Sequence, residues 1–320
     1  MIPELVDTVL DRSLLLGYTR IGPAVRRRLG WAADPEADAL NGRAALVTGA
    51  NSGLGRASAA GLAGLGAAVH LVVRNRTRGE DAVRSILAEQ PGAELHLHVC
   101  DVADLDSVRA FAGAFTDPLA LLVHNAGAVL PSRTETAQGV EATFATHVLG
   151  PYLLTGLLLD RLASPPAAPP GRVIFVSSGG MYAQRLPADD LQYRRGDYKP
   201  LVAYARTKRM QVVLAELVAG RVRDHGVVVH SGHPGWADTP GVSASLPGFR
   251  TVVGPLLRTS EDGADLVTWL AAAPLPGRTT GLFWHDRRPR PTHYLGLRRE
   301  SPADRDRLWR ECAALASWDI

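Results

Sequence analysis

Short apolar runs alternate with stretches of helical periodicity from Arg43 onward. A parallel sheet produces this alternation, because crossover helices join its strands and cover both of its faces. We therefore predict an α/β fold with one doubly wound parallel sheet. The strand candidates are Ala44–Val47, Ala68–Val73, Glu94–Val99, Leu119–Val123, Arg172–Val176, Val227–His230 and Gly281–Trp284. The helix candidates are Gly53–Leu65, Arg78–Glu89, Leu105–Phe115, Gly139–Leu162, Leu201–Arg223 and Glu261–Leu270.

The same pattern divides the chain into three segments. Residues 1–41 are predicted to form a short N-terminal helical extension, residues 42–285 the α/β domain, and residues 286–320 a tail with a terminal helix. The Pro-rich stretch from Ser164 to Pro170 predicts a surface loop that is too short to divide the domain.

Charge and cysteine content argue against several classes of function. The net charge is +3, and the basic residues are interspersed with acidic ones. A nucleic-acid footprint needs basic residues clustered on one face, so we expect no nucleic-acid partner. Cys100 and Cys312 lie far apart and lack the spacing of metal ligands. We therefore expect no metal and no disulfide scaffold, and a cytoplasmic location fits best.

The N-terminus predicts an amphipathic helix from Ile2 to Leu16, which is followed by Arg26-Arg27-Arg28. Charged residues such as Glu4 and Asp7 interrupt its apolar run, so it does not resemble a signal peptide. No run in the chain approaches the roughly 18 apolar residues of a transmembrane helix. Two interpretations remain open. The helix packs on the domain or on a partner subunit, or residues 1–28 attach to a membrane surface.

A glycine-rich loop follows the first predicted strand and precedes a helix. Glycines allow a tight turn and let the backbone approach a pyrophosphate, which the N–H groups and the dipole of the helix start attract. In this position the loop predicts a Rossmann-like dinucleotide-binding site, although the glycines could serve packing alone and their spacing is wider than G-x-G-x-x-G. The candidate cofactor residues of this loop are Gly49, Asn51, Ser52, Gly53, Leu54 and Gly55.

Arg74 stands at the end of the second strand, where NAD-binding chains carry an acidic residue for the ribose 2′-hydroxyl. An arginine there favours a 2′-phosphate. We therefore expect NADP(H) in preference to NAD(H). The alternative is a solvated arginine at a strand end.

Tyr204 and Lys208 lie four residues apart on a predicted helix, so they share one helix face. A nearby ammonium favours the phenolate and lowers the pKa of a tyrosine from its usual value of about 10. The pair could then exchange a proton with an alcohol or a carbonyl. Taken alone, such a pair could equally arise by chance on a helix surface.

Together these motifs resemble the short-chain dehydrogenases/reductases. The resemblance covers about residues 42 to 285 and rests on motifs in the family's order. These are the loop from Thr48 to Gly55, Asn125-Ala126-Gly127, Ser178, Tyr204 with Lys208, and Pro234-Gly235. Three stretches, Val176–Met181, His233–Val242 and Asp286–Pro289, indicate one particular branch of the family.

The resemblance implies three catalytic roles. Ser178 would hydrogen-bond the substrate oxygen. Tyr204 would donate the proton in reduction and accept it in oxidation, while Lys208 would lower the pKa of Tyr204 and hold the nicotinamide ribose. The family also suggests a homo-oligomer.

The resemblance also implies further contacts with the cofactor. Asp101 and Val102 would meet the adenine, although Asp101 could equally cap the helix at Leu105. Thr239 would hold the carboxamide. The remaining residues implied to line the cofactor groove are Asn125, Ala126, Gly127, Pro234 and Gly235.

The chain departs from the family pattern at two positions. His147 replaces the asparagine that supports a water leading protons to the lysine, and His124 replaces the asparagine before Asn125. A neutral histidine has one donor and one acceptor, so His147 could hold a water or bond the backbone. We expect His147 to keep an altered proton relay and His124 to make a minor contact.

The loop from Trp236 to Arg258 carries apolar residues outside the sheet pattern. Loops after the carboxyl ends of strands form the crevice of such folds, so this one predicts a lid over an apolar substrate pocket. The alternative is a flap that packs on its own domain or on a neighbour. We predict an NADP(H)-dependent oxidoreductase that acts on a small apolar carbonyl or secondary alcohol. The alternatives are a dinucleotide-binding protein with little or no turnover, which His147 motivates, and a sugar-nucleotide epimerase or dehydratase.

Overall fold

The computed structural model describes residues 2–165, 168–238, 254–294 and 299–320. Thr239 and most of the predicted lid lie outside these ranges. Within them the architecture is a single sheet with helices on both faces, as the alternation of apolar runs predicted.

The sheet has eight strands within the described residues, in the order β3-β2-β1-β4-β5-β6-β7-β8. All neighbouring strands are parallel except the last pair, β7 and β8. The seven predicted strands are present, with small shifts at their ends, while the short β8 escaped prediction. The strands are β1 Ala44–Thr48, β2 Ala68–Val73, β3 Leu95–Val99, β4 Leu121–His124, β5 Gly171–Val176, β6 Val227–Gly232, β7 Leu282–His285 and β8 Arg288–Pro289.

Two apolar cores lie on opposite faces of the sheet. One contains Phe111, Leu153, Leu214 and Trp309, and the other contains Leu62 and Trp269. The helices are α1 Ile2–Arg12, α2 Leu14–Tyr18, α3 Ile21–Arg28, α4 Gly53–Gly64, α5 Arg76–Glu89, α6 Leu105–Ala114, α7 Ala142–Phe144, α8 Gly150–Leu157, α9 Leu159–Leu162, α10 Pro200–Arg221, α11 Ser260–Ala272, α12 Pro274–Gly277 and α13 Pro302–Ala316.

The predicted continuous helix from Gly139 to Leu162 is interrupted. A π-helical turn, Ala145–Leu149, separates α7 from α8, and the N–H of Gly150 donates to the carbonyl of Ala145, five residues earlier. Pro151 has no N–H to give to the carbonyl of His147 in α-helical register. The apolar periodicity of the sequence did not reveal this change of helical register.

The N-terminal helices pack on the domain through buried charges. Asp7 accepts from Arg26 at 2.7 Å and from Arg290 at 2.8 Å, and Asp286 accepts from Arg258 at 2.6 Å. Asp286 and Arg287 form the turn between β7 and β8 with φ angles of 49° and 58°. Packing on the domain was one of the two interpretations of the N-terminal sequence.

The same packing buries two aspartates of α1 and leaves two of its apolar residues exposed, although Leu10 is buried. Asp7 and Asp11 are buried, whereas Leu5 and Val9 are 66% and 55% exposed, and Leu16 of α2 is 39% exposed. None of the described helices is both long and apolar enough to cross a membrane.

Candidate active site

A cavity of about 1120 Å³ opens at the carboxyl edge of the sheet, at the neighbouring strands β1 and β4, where the order of the strands reverses. This is the topological switch point at which doubly wound sheets bind ligands. The cavity is larger than most pockets for one small molecule and has room for a dinucleotide beside a substrate. Seventeen of the predicted site residues line it: Gly49, Asn51, Ser52, Gly53, Leu54, Gly55, Arg74, Asp101, Val102, Asn125, Ala126, Gly127, Ser178, Tyr204, Lys208, Pro234 and Gly235.

Two positions of the glycine-rich loop, Gly49 and Gly55, are packed too closely to carry a side chain. Gly49 has a φ of 67°, and a Cβ added to it would lie 2.8 Å from the Cα of Ala126. A Cβ on Gly55 would lie 2.2 Å from the carbonyl oxygen of Gly49. The loop therefore forms a backbone cradle at the start of α4, where N–H groups can hold a pyrophosphate. This geometry fits a dinucleotide.

Thr48 and Asn125 tie the cradle to the neighbouring strand. The hydroxyl of Thr48 donates to the carbonyl of Val123 at 3.2 Å and accepts from the N–H groups of Asn125 and Ala126, each at 3.1 Å. The amide of Asn125 donates to the carbonyl of Thr48 at 3.0 Å. These bonds keep the ends of β1 and β4 in a fixed relation beneath the cavity.

Arg78 joins Arg74 in the wall beyond the cradle, and both residues are exposed. Sequence reasoning missed Arg78. Asn75 is the sequence feature that could have predicted the place of Arg78. Its side chain is the N-cap of α5 and accepts from the N–H of Arg78 at 3.0 Å. That cap places Arg78 in the first helical turn, close to the strand end that carries Arg74.

Asp101 lines the cavity and does not cap α6. Its carboxylate accepts from the N–H of Ala103 at 2.9 Å, while Asp104 is the N-cap and accepts from the N–H of Asp106 at 3.0 Å. The structure thus separates the two interpretations of Asp101, because a different aspartate provides the cap.

Ser178, Tyr204 and Lys208 meet at the opposite end of the cavity. Ser178 follows β5, and its side chain lies close enough to Tyr204 in α10 to oppose the rise in the pKa of that phenol. Lys208, one turn further along α10, donates to the carbonyl of Val176 at 2.8 Å and to Oε1 of Gln211 at 2.9 Å. Its Nζ lies 5.5 Å from the centre of the Tyr204 ring.

Burial controls the protonation of this group. Desolvation raises the pKa of Tyr204 above its usual value and outweighs the opposing effect of the Ser178 hydrogen bond. The four-residue spacing of Tyr204 and Lys208 had predicted the opposite, a pKa of Tyr204 lowered by the lysine charge. Desolvation of Lys208 itself lowers its pKa to about 7, so the ammonium is only partly protonated at neutral pH.

His147 does not line the cavity. Its ring is buried, with Nε2 accepting from the N–H of Ala128 at 3.1 Å and Nδ1 lying 2.7 Å from the hydroxyl of Thr207. Because Nε2 is an acceptor, Nδ1 carries the proton. Burial, with a smaller effect of the Lys208 charge, holds the pKa of His147 well below its usual value. The sequence left open whether His147 holds a water or bonds the backbone, and in the structure it bonds the backbone N–H of Ala128. His124 bonds Thr155 at 2.8 Å away from the cavity.

Apolar side chains surround the space beside Ser178 and Tyr204. Val129, Leu130, Leu201 and Val202 line it together with Trp236. Sequence reasoning assigned only Trp236 to a substrate loop. The other four belong to no sequence motif that would predict a place in the cavity, although each lies within a few residues of such a motif.

Comparisons with known proteins agree with this geometry. A model of the short chain dehydrogenase family matches residues 43–189. Dehydrogenase/reductase SDR family member 12 from Bos taurus is 43% identical over 272 residues, which cover 83% of this chain and 84% of that protein. Polyprenol dehydrogenase from Mus musculus is 36% identical and covers 84% of this chain and 82% of that protein. An uncharacterized protein from Mycobacterium paratuberculosis has a crystal structure with a TM-score of 0.70 at 27% identity, over 89% of this chain and 97% of that one. Member 12 is the branch that the three stretches indicated.

The buried Lys208 predicts an unusual dependence of stability on pH. Its pKa is about 7 in the folded chain and near the ordinary 10.5 in the unfolded chain. Between these values the unfolded state binds the extra proton, so this group gives the wild type more stability as pH rises. Relative to Lys208→Met, the wild type should gain about 3 kcal/mol of unfolding free energy between pH 7 and pH 10.

Urea unfolding of both proteins at several pH values measures this difference. Lys199→Met removes the other lysine of the chain, which is exposed, and controls for the loss of a positive charge. A difference between wild type and Lys208→Met that stays constant with pH would contradict the expectation.

Proposed function

The chain belongs to the short-chain dehydrogenase family, and on this premise we propose that it is an NADP(H)-dependent reductase of an apolar carbonyl compound, or a dehydrogenase of the corresponding secondary alcohol. Members of this family are oxidoreductases that act on alcohol or carbonyl groups with NAD(P). The choice of cofactor, the residue roles and the substrate class are the proposed elements.

The convergence of Ser178, Tyr204 and Lys208 on one cavity carries the proposal. Two hydroxyl groups that line one cavity can hydrogen-bond the same carbonyl oxygen. Ser178 would stabilise its developing charge, and Tyr204 would supply the proton. Lys208 lies behind Tyr204, so the charge of its protonated form favours the departure of that proton. The cofactor, when bound in the glycine cradle, supplies or accepts the hydride.

Apolar side chains support the substrate class. Leu130, Leu201 and Trp236 line the same cavity as the two hydroxyl groups, and an apolar wall binds substrate by removing its surface from water. The name of the murine relative, polyprenol dehydrogenase, also denotes an apolar alcohol. We therefore place a carbonyl or secondary alcohol with apolar substituents against this wall.

Removal of one hydroxyl group tests the mechanism. In Tyr204→Phe the proton donor is lost, and turnover should fall by about 10²- to 10⁴-fold. NADPH oxidation is followed by absorbance with a panel of apolar aldehydes and ketones, while NADPH binding is measured by fluorescence and should be retained. Tyr198→Phe, whose hydroxyl bonds Glu141 away from the cavity, is the matched control and should keep wild-type turnover.

Two other outcomes would change the conclusion. Undiminished turnover of Tyr204→Phe would remove Tyr204 from the mechanism. Bound NADPH without turnover in any of the three proteins would favour the alternative, a dinucleotide-binding protein.

The cofactor preference rests on Arg74 and Arg78. Both are exposed in the cavity wall beyond the glycine cradle, where they can bond a 2′-phosphate, and guanidinium groups suit phosphate. NADH lacks this phosphate, so it gains nothing from the two arginines.

Arg74→Ala and Arg78→Ala should each weaken NADPH binding about tenfold, the effect of losing a hydrogen bond to a charged group, and leave NADH binding unchanged. Arg76→Ala removes a neighbouring exposed arginine that does not line the cavity and is the control. Titration of both cofactors by fluorescence gives the affinities. An equal loss for NADPH and NADH would overturn the preference.

The exposed residues of the N-terminal helices support a cytoplasmic protein that binds peripherally to a membrane surface. Leu5, Val9 and Leu16 point outward. Arg12, Arg20, Arg27 and Arg28 are exposed in the same segment. An apolar stripe with arginines matches the interface of an anionic bilayer.

Leu5→Ser combined with Val9→Ser should abolish cosedimentation with vesicles of phosphatidylserine and phosphatidylcholine. Leu275→Ser changes a leucine on α12 that is 50% exposed, and this control should cosediment as the wild type does. Binding that survives the double substitution would disprove the membrane contact. The family resemblance also suggests a homo-oligomer. Sedimentation velocity of the same variants would reveal whether the exposed residues Leu5 and Val9 join two copies of the chain instead of binding a membrane.

A further inference from the structure

The ammonium of Lys208 is held by two neutral acceptors inside the protein. The carbonyl of Val176 accepts at 2.8 Å and Oε1 of Gln211 at 2.9 Å. An ammonium has three N–H donors. With two of them directed at the protein, one remains for the cavity, which Lys208 lines.

The far end of the Gln211 amide meets the interrupted helix. Its Nε2 donates to the carbonyl of His147 at 2.8 Å, and the side chain is fully buried. Pro151 cannot serve this carbonyl in α-helical register, so the π-helical turn leaves an acceptor that an outside donor can reach. The ammonium form of Lys208 only donates and the carbonyl only accepts, so the orientation of the amide in that form is unambiguous.

His147 fastens the same region from its side chain. Its Nδ1–H donates to the hydroxyl of Thr207, which donates in turn to the carbonyl of Tyr204 at 2.9 Å. Both ring nitrogens therefore have protein partners. The ring and the carbonyl of His147 thus have direct partners on α10, Thr207 and Gln211 respectively.

We propose that Gln211 is a positioning residue, whose amide bridges Lys208 to the carbonyl of His147, aims the remaining N–H of the ammonium at the cavity and closes the space between these groups to water. The role of Lys208 in turnover rests on the proposed function, but the bridge itself does not. A carboxamide keeps its donor and acceptor ends distinct, unlike water, so protons reach Lys208 from the cavity side and not through the π-helical turn.

The electrostatic surroundings make the bridge measurable. The titratable groups facing Lys208 are Tyr204 from its own helix and His147 from the π-helical turn. Within the described residues, no carboxylate pairs with its Nζ, and burial alone lowers its pKa to about 7. Gln211 is thus the one side chain that bonds the ammonium there, and a change at this position should alter the titration of Lys208 directly.

The chain has only two lysines, so protein labelled with ¹³C at lysine Cε gives two side-chain signals in NMR spectra. The exposed Lys199 is the internal reference, and Lys199→Arg assigns the signals. Gln211→Met keeps the size of the side chain but removes the acceptor. It should move the Lys208 titration midpoint about one pH unit lower, since a hydrogen bond to a charged group is lost. Gln211→Glu puts an anion beside the ammonium and should move the midpoint more than one pH unit higher.

Gln192→Met is the matched control, because Gln192 is equally buried but bonds Glu141 and Glu311 away from Lys208. It should leave the midpoint unchanged. Equal midpoints in the wild type and Gln211→Glu would overturn the proposal, even if Gln211→Met does not fold. Where substrate turnover is measurable, kcat should fall about tenfold in Gln211→Met and its pH profile should shift in the same direction as the NMR midpoint. The NMR result decides on the bridge without turnover, so a failure of the bridge and a failure of the proposed reductase remain distinguishable.

Discussion

The desolvated ammonium of Lys208 determines how the candidate site must be built. An ionised amine removed from water costs several kcal/mol unless hydrogen bonds replace its hydration. The replacement comes from the carbonyl of Val176 at the end of β5 and from Gln211 on α10. Helix α10 must therefore lie against the carboxyl end of β5. In a parallel sheet the glycine cradle after β1 stands at the same edge, which is how a proton-transfer group comes to face a dinucleotide cradle.

The segments outside the motifs support this edge from behind. Arg258 donates to the carbonyl of Pro234 at 3.2 Å, to the carbonyl of Gly17 at 2.7 Å and to Asp286 at 2.6 Å. One guanidinium thus joins the loop after β6, the N-terminal extension and the β7–β8 hairpin. Because a buried charge that loses its partner is strongly destabilising, these parts are expected to order together. The N-terminal extension is consequently part of the scaffold behind the cavity wall.

Local patterns in the sequence were sufficient to predict the sheet and the cavity. Apolar runs between turn residues gave seven strands, and the glycine loop, Ser178 and the Tyr204–Lys208 pair each carry a signal within a few residues. Features that depend on distant contacts escaped prediction. Gln211 acquires its role only because Pro151, sixty residues earlier, frees a carbonyl in another helix. Arg78 needed the cap at Asn75, and the raised pKa of Tyr204 needed the depth of its burial, which periodicity does not report. Thr239 and most of the predicted lid lie outside the described residues.

The turn at Asp286 and Arg287 has a consequence for how the chain can diverge. Both residues adopt left-handed backbone angles, a conformation that favours Asn-Gly in such a two-residue hairpin. An Asn-Gly turn would lack the charged side chains found here. Asp286 forms ion pairs with Arg26 and Arg258, and Arg287 forms ion pairs with Asp265 and Asp34. A substitution that suits the turn in isolation would orphan charges in three other segments. Relatives are thus expected to keep or lose the hairpin dipeptide, the N-terminal aspartates and their arginines together. The two terminal segments of the chain should therefore evolve jointly.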